Sequence, residues 1–161
     1  MNPFDLLSLI PVLIVYLFIP IYFYYQNQLL QGFYIIIAII ALTTFVEGIK
    51  KLTPKNAFSW MMRPENACNC NLFNMGGAVG FKPGFPSGHT ATATFLWVVL
   101  NKYFAKKYPQ YQKEIYYGLL IMVISTMFAR YMKSCHNIQQ IIGGFLIGFI
   151  AGTLFNQFEL L

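Results

Sequence analysis

Charge is what this sequence lacks most. Of its 161 residues only 10% are charged, against 57% hydrophobic, and the mean hydropathy is +0.55. A water-soluble domain carries roughly 25% charged residues, so the deficit excludes a surface solvated by water alone and points to lipid. There are five acidic residues and two histidines. They form no cluster suited to Mg²⁺ or Zn²⁺, so no metal and no cofactor is expected. A dense basic face is missing as well. The eleven Lys and Arg residues are spread between apolar runs, which argues against nucleic acid and for membrane flanks plus an anion site. The three cysteines, Cys68, Cys70 and Cys135, are odd in number, so at least one has no partner within the chain. No second pair completes a zinc site with Cys68 and Cys70, while Cys135 is either a packing residue or a bridge to one of those two. The N-terminus has Asp5 and no basic run before its apolar stretch, a poor cleavable signal peptide; the first segment is expected to stay as an anchor. No internal repeat, low-complexity tract or second domain is visible, so residues 1–161 are read as a single domain.

What the chain does have is five apolar runs, at 6–25, 29–49, 90–104, 115–132 and 138–156. Each is long enough, or nearly so, to cross about 30 Å of hydrocarbon. The expected fold is all-α, a polytopic bundle of about five membrane-spanning helices. The third run is the weakest, because Asn101 and Lys102 interrupt it. In the fifth, Gly144, Gly148 and Gly152 recur every four residues and predict a smooth stripe for close helix packing. Lysines at helix ends, and the run Tyr22 to Tyr25, read as interfacial anchors. Between the second and third runs lies one polar loop, 50–89, with four prolines and five glycines. Loops of that length in a compact domain tend to be functional or disordered.

Counting spans places the chemistry. The loop lies at the end of the second helix. The third helix leaves that face and the fourth returns to it, near Arg130. The fifth starts there, just after His136. Arg63, Ser87, His89, Arg130 and His136 therefore gather at one membrane face. Three clusters result: Arg63-Pro64 preceded by Lys50, Lys51 and Lys55; Pro86-Ser87-Gly88-His89 directly before a helix; and Arg130 followed six positions later by His136. Guanidinium forks suit phosphate oxygens. Ser87 is placed to cap the third helix, and Gly88 lets backbone N–H groups approach an anion. Two histidines supply a nucleophile and a general acid near neutral pH.

These motifs, in this order and at these helix ends, resemble the type-2 phosphatidic acid phosphatase superfamily, whose metal-independent site is shared with vanadium haloperoxidases. The family pattern is K-x(6)-R-P, P-S-G-H and S-R-x(5)-H-x(3)-D, and the resemblance covers about residues 47–144. It implies a membrane-embedded phosphatase acting on a lipid phosphate or diphosphate, of the polyprenyl diphosphate or phosphatidate type, with a membrane lipid as its partner. By the same resemblance His136 attacks phosphorus to form a phosphohistidine and His89 protonates the leaving oxygen. Lys55 or Lys51, Arg63, Ser87, Gly88 and Arg130 hold the phosphate. The family commonly has six helices, so one N-terminal helix outside the catalytic core is expected to be missing here.

Three departures stand out. Seven residues before Arg63 stands Asn56, so Lys55 or Lys51 must take the family lysine's place. Ala129 stands where the family has serine. Gln140 stands where the family aspartate orients the nucleophilic histidine; its amide oxygen accepts from the ring but adds no charge. Glu47 is the acid nearest to substituting for it. The neutral Gln140 keeps two alternatives open, a slow or non-catalytic lipid-phosphate binder and a lipid phosphotransferase. Lys106, Lys107 and Lys113 in the short opposite loop place that loop in the cytoplasm, and the site toward the exterior or an organelle lumen.

Overall fold

A computed structural model describes residues 3–54, 56–71 and 75–161. Five long helices make up the described architecture: α1 (Pro3–Tyr25), α2 (Leu29–Leu52), α3 (Gly88–Lys107), α4 (Gln112–Met132) and α5 (Ile138–Gln157). Pro11 and Pro20 each remove a backbone donor from α1, and a π-helical turn, Ile14–Phe18, lies between them.

Helices α1, α2, α4 (with the short 3₁₀ turn before it) and α5 are long and apolar enough to cross a membrane. Their large side chains divide by helical phase. In α2, Ile35, Ile39, Leu42 and Val46 are buried, whereas Phe33, Ile37, Ile40 and Phe45 point outward. Outward apolar faces of this size need lipid.

Helix α3 is the least apolar of the five and the most enclosed. It packs chiefly against α5 and α4 and also touches α1 and α2. Its Thr90, Ala93, Phe95, Leu96 and Val99 are all buried. A helix wrapped by protein needs no lipid-facing surface, so its polar residues are tolerated. Asn101 and Lys102 do not end it. It runs three residues beyond the expected 104, and Lys102 Nζ donates to the carbonyl of Asn156 near the end of α5 at 2.6 Å.

The glycine stripe explains why α3 and α5 sit so close. A Cβ on Gly144 would lie 2.4 Å from Ser87 O, and one on Gly148 would lie 2.2 Å from Ala91 O. At Gly152 it would lie 2.8 Å from Val98 Cβ. The packing expected from the four-residue spacing is present, and α3 is its partner.

Among the described residues between α2 and α3, the chain forms a 3₁₀ turn, Ser59–Met61, and two isolated bridges, Met62 with Pro83 and Cys68 with Ala78. A disulfide joins Cys70 in this loop to Cys135 in the turn between α4 and α5, and Cys68 is an exposed free thiol. Of the two pairings open to Cys135, the one with Cys70 forms.

Candidate active site

The turn between α4 and α5 places the proposed nucleophile. Asn137 caps α5, its side-chain oxygen accepting from Gln140 N at 3.0 Å. His136, immediately before the cap, is buried with only 2% of its surface exposed. Its Nδ1 lies 2.9 Å from Gln140 Oε1. The amide nitrogen of Gln140 donates to Trp60 O at 3.1 Å and to Met62 O at 2.7 Å. Carbonyls only accept, so the NH₂ must face them and the oxygen must face the ring. Nδ1 therefore carries the proton, and Nε2 keeps its lone pair. That lone pair faces Arg63, whose Nη1 is 3.5 Å away. Burial first, then the charges of Arg63 and Arg130, hold the His136 imidazole well below its ordinary pKa, in the neutral form a nucleophile needs.

Two guanidiniums flank this ring. Arg63 Nη1 donates to Cys135 O at 3.1 Å. Gly84 leaves room for that side chain, since a Cβ there would lie 2.6 Å from Arg63 Cγ. Arg130, in the last turn of α4, is fully buried; its Nη2 donates to Cys70 O at 2.6 Å. Among the described residues its Nε and Nη1 have no partner. Each unmet buried donor costs about 1–3 kcal/mol, more when charged. A phosphate oxygen is the natural acceptor for a guanidinium edge of this kind.

The second wall is the start of α3. Ser87 N donates to Gln140 O at 2.9 Å, which pins α3 to α5. The capping expected of Ser87 is not seen. It occupies the cap position, but its hydroxyl accepts from Thr90 Oγ1 at 3.0 Å instead of binding an amide of the first turn. The first amides of α3 therefore have no side-chain cap, an arrangement that suits an anion. His89, half-buried in the same turn, lines a mostly apolar groove of about 400 Å³ between α1 and α2, together with Pro11, Val12, Thr43, Glu47 and Gly88.

Lysine placement differs from the sequence expectation. Lys51 is exposed, and Lys55 lies outside the described residues. Lys50 is the lysine turned inward; its Nζ lies 3.9 Å from where a Cβ on Gly88 would be. The signal was available in the helical phase, because Lys50 follows Val46 by four on the buried stripe of α2. Glu47 does not orient His136; it pairs with Lys50 at 2.6 Å. Asp5, read from the sequence only as a mark of the N-terminal segment, is buried and pairs with Lys133 at 2.5 Å. Span counting alone puts the start of α1 at the site's face. Lys50, Arg63, Arg130 and Lys133 all act on His89, while Glu47 and Asp5 are the acids paired among them. Four cations less two acids leave +2, which matches a phosphate monoester of about −2.

The family model of the PAP2 superfamily matches residues 29–160. A solved structure described as the first transmembrane PAP2 type phosphatidylglycerolphosphate phosphatase, from Bacillus subtilis, shares this fold with a TM-score of 0.73 and 18% identity. The alignment covers 99% of this chain and 78% of that one. No curated protein sequence matches the chain.

Proposed function

The chain belongs to the PAP2 superfamily and is an integral membrane protein, and on that premise we propose that it hydrolyses a lipid phosphate through a phosphohistidine intermediate. The observation that carries this reading is the buried His136, with Nδ1 committed to Gln140 and Nε2 facing the guanidinium of Arg63. Nε2 attacks phosphorus in line. Arg63, Arg130, Lys50, the Ser87 hydroxyl and the uncapped amides at Gly88 hold the three equatorial oxygens. His89 gives a proton to the leaving lipid oxygen. Water then attacks the phosphohistidine and releases phosphate.

The groove argues for a lipid leaving group. It reaches His89, the proposed proton donor, between two helices whose outer faces are apolar. A substrate anchored in the bilayer can offer its headgroup through such an opening without leaving the membrane. Phosphatidate, polyprenyl diphosphate and phosphatidylglycerolphosphate, the last named for the Bacillus subtilis neighbour, all have this form. The Cys70–Cys135 disulfide lies against the site. Structural disulfides persist in oxidising compartments, which supports a site facing the exterior or an organelle lumen.

The neutral Gln140 favours a second reading, a slow enzyme or a binder of lipid phosphate. Turnover of a short-chain phosphatidate by the parent and by His136→Ala separates the two. The enzyme reading expects a loss of about 10⁴-fold or more, by analogy with removal of a catalytic histidine in hydrolases, and no acid-labile phosphate trapped on the variant. Equal rates in the two proteins exclude the phosphohistidine route.

A further inference from the structure

Both site arginines rest on the same covalent feature. Arg63 donates to the carbonyl of Cys135, and Arg130 donates to the carbonyl of Cys70. Those two residues are the halves of the disulfide, 65 positions apart in sequence, with their Cα atoms 5.5 Å apart. Cys135 is also the residue before His136.

Among the described residues, little else holds the loop there. Cys70 and Cys135 form a small buried cluster with Ala67 and the partly buried Val79, apart from the main helical core. Backbone pairing among the described residues in this part of the loop consists of turns and short bridges, such as Val79 N to Ala67 O at 2.8 Å. Arg130 is anchored to Cys70 O by one donor while, among the described residues, its Nε and Nη1 have no partner. Moving Cys70 moves the acceptor that aims those donors. Moving Cys135 moves both the acceptor for Arg63 and the backbone that carries His136.

We propose that the Cys70–Cys135 disulfide is a positioning element of the anion site, setting both guanidiniums for phosphate, so that phosphate affinity depends on its oxidation state. This rests on the reading of Arg63 and Arg130 as phosphate ligands. Reduction by an external phosphine or dithiol breaks the S–S bond, each sulfur takes up a proton, and the reductant leaves as phosphine oxide or disulfide. The carbonyls of residues 70 and 135 then separate, and the two arginines lose their common frame.

The test uses the full chain in detergent with inorganic phosphate as the probe, read by ³¹P NMR titration, and in parallel KM and kcat for a short-chain phosphatidate. On reduction, the phosphate Kd and the KM are expected to rise at least about tenfold, the effect of misplacing one charge-assisted contact. Helix content should stay unchanged, and reoxidation should restore affinity. Cys68→Ser should respond as the parent does. The double variant Cys70→Ser with Cys135→Ser should bind phosphate as the reduced parent does and ignore reductant. If that variant fails to fold, the reversible reduction of the parent decides. A Kd that moves by less than about twofold, in protein shown by alkylation to have gained two thiols, overturns the proposal. Redox-dependent phosphate binding without lipid turnover leaves the clamp standing and removes the hydrolase reading. Turnover with a KM indifferent to reduction does the reverse.

Discussion

At the end of the bundle away from the site, Lys107 and Lys102 are both satisfied by protein groups. Lys107 donates to Gln26 Oε1 at 2.7 Å and to Tyr103 Oη at 3.2 Å, and its Nζ lies 5.3 to 5.9 Å from the rings of Tyr22, Tyr103 and Tyr108. Lys102 rests on the Asn156 carbonyl. At the site end, Arg130 is fully buried with two donors unmet among the described residues, and cations outnumber paired acids. The difference separates two uses of positive charge at a membrane boundary. One closes helix ends and anchors them; the other leaves buried donors open, as the proposed phosphate site requires. Burial with incomplete pairing, rather than charge alone, marks the functional end.

The comparison breaks most sharply at Arg130. Arg130→Lys should lower kcat/KM by about 10²- to 10³-fold, the scale of losing one aimed donor to a developing oxyanion, because ammonium lacks the planar fork. Lys107→Gln should leave kcat/KM unchanged. Equal losses in the two variants, measured on the same lipid, would erase the distinction between the ends.

Gln140 gives a smaller effect, of a sign that the family pattern alone would reverse. Restoring the family's aspartate looks like a repair. In this fold the glutamine amide also feeds the carbonyls of Trp60 and Met62, and a carboxylate has no N–H to give them. Gln140→Asp should therefore lower turnover, by about tenfold for two buried acceptors left without their donor. A rise in turnover would show that charge at His136 outweighs the tie to the loop.

The pH profile comes next. His136 must be neutral to attack, and its folded pKa is depressed by burial and by Arg63 and Arg130. The acid limb of kcat/KM that protonation of His136 sets should therefore lie below about 6.5, the ordinary imidazole value. Stability carries the same sign. The unfolded chain takes up a proton near that value which the folded chain refuses, so stability falls as pH drops from the unfolded pKa toward the folded one. In Gln140→Asp the new anion should raise the His136 pKa and move the acid limb upward. The smallest effect belongs to the far end, where Lys107→Gln should cost about 1 kcal/mol or less in thermal unfolding.

Helix positions were legible because lipid demands long apolar runs, and that demand is written in composition. The limits of α3 were less legible, because a helix enclosed by protein obeys no such rule, and Asn101 and Lys102 interrupt its apolar run. That Arg63, Ser87, His89, Arg130 and His136 lie at one end of the bundle followed from span counting and motif order. Lys50 did not, because a fixed spacing to Arg63 was applied where helical phase was the better guide. Asp5 was hidden by its distance in sequence, although its membrane face was already fixed by counting. Which cysteine pairs with Cys135 depends on the path of the loop, which no local pattern encodes. The amide bonds from Gln140 to Trp60 and Met62 are likewise a product of the folded loop.

The seam between α3 and α5 has a consequence for how such a protein can vary. His89 lies in the first turn of α3, and His136 stands two residues before α5. Gly144 and Gly148 set those helices backbone to backbone, against Ser87 O and Ala91 O. The seam acts as a ruler for the gap between His89 and His136, the proposed proton donor and nucleophile, and the loop adds its own ties only through Cys70 and the carbonyls of Trp60 and Met62. Loop residues outside those ties are thus freer to vary, whereas a single methyl group at Gly148, deep in the bundle, would meet Ala91 O, tilt one helix against the other and change the spacing of the two histidines from afar.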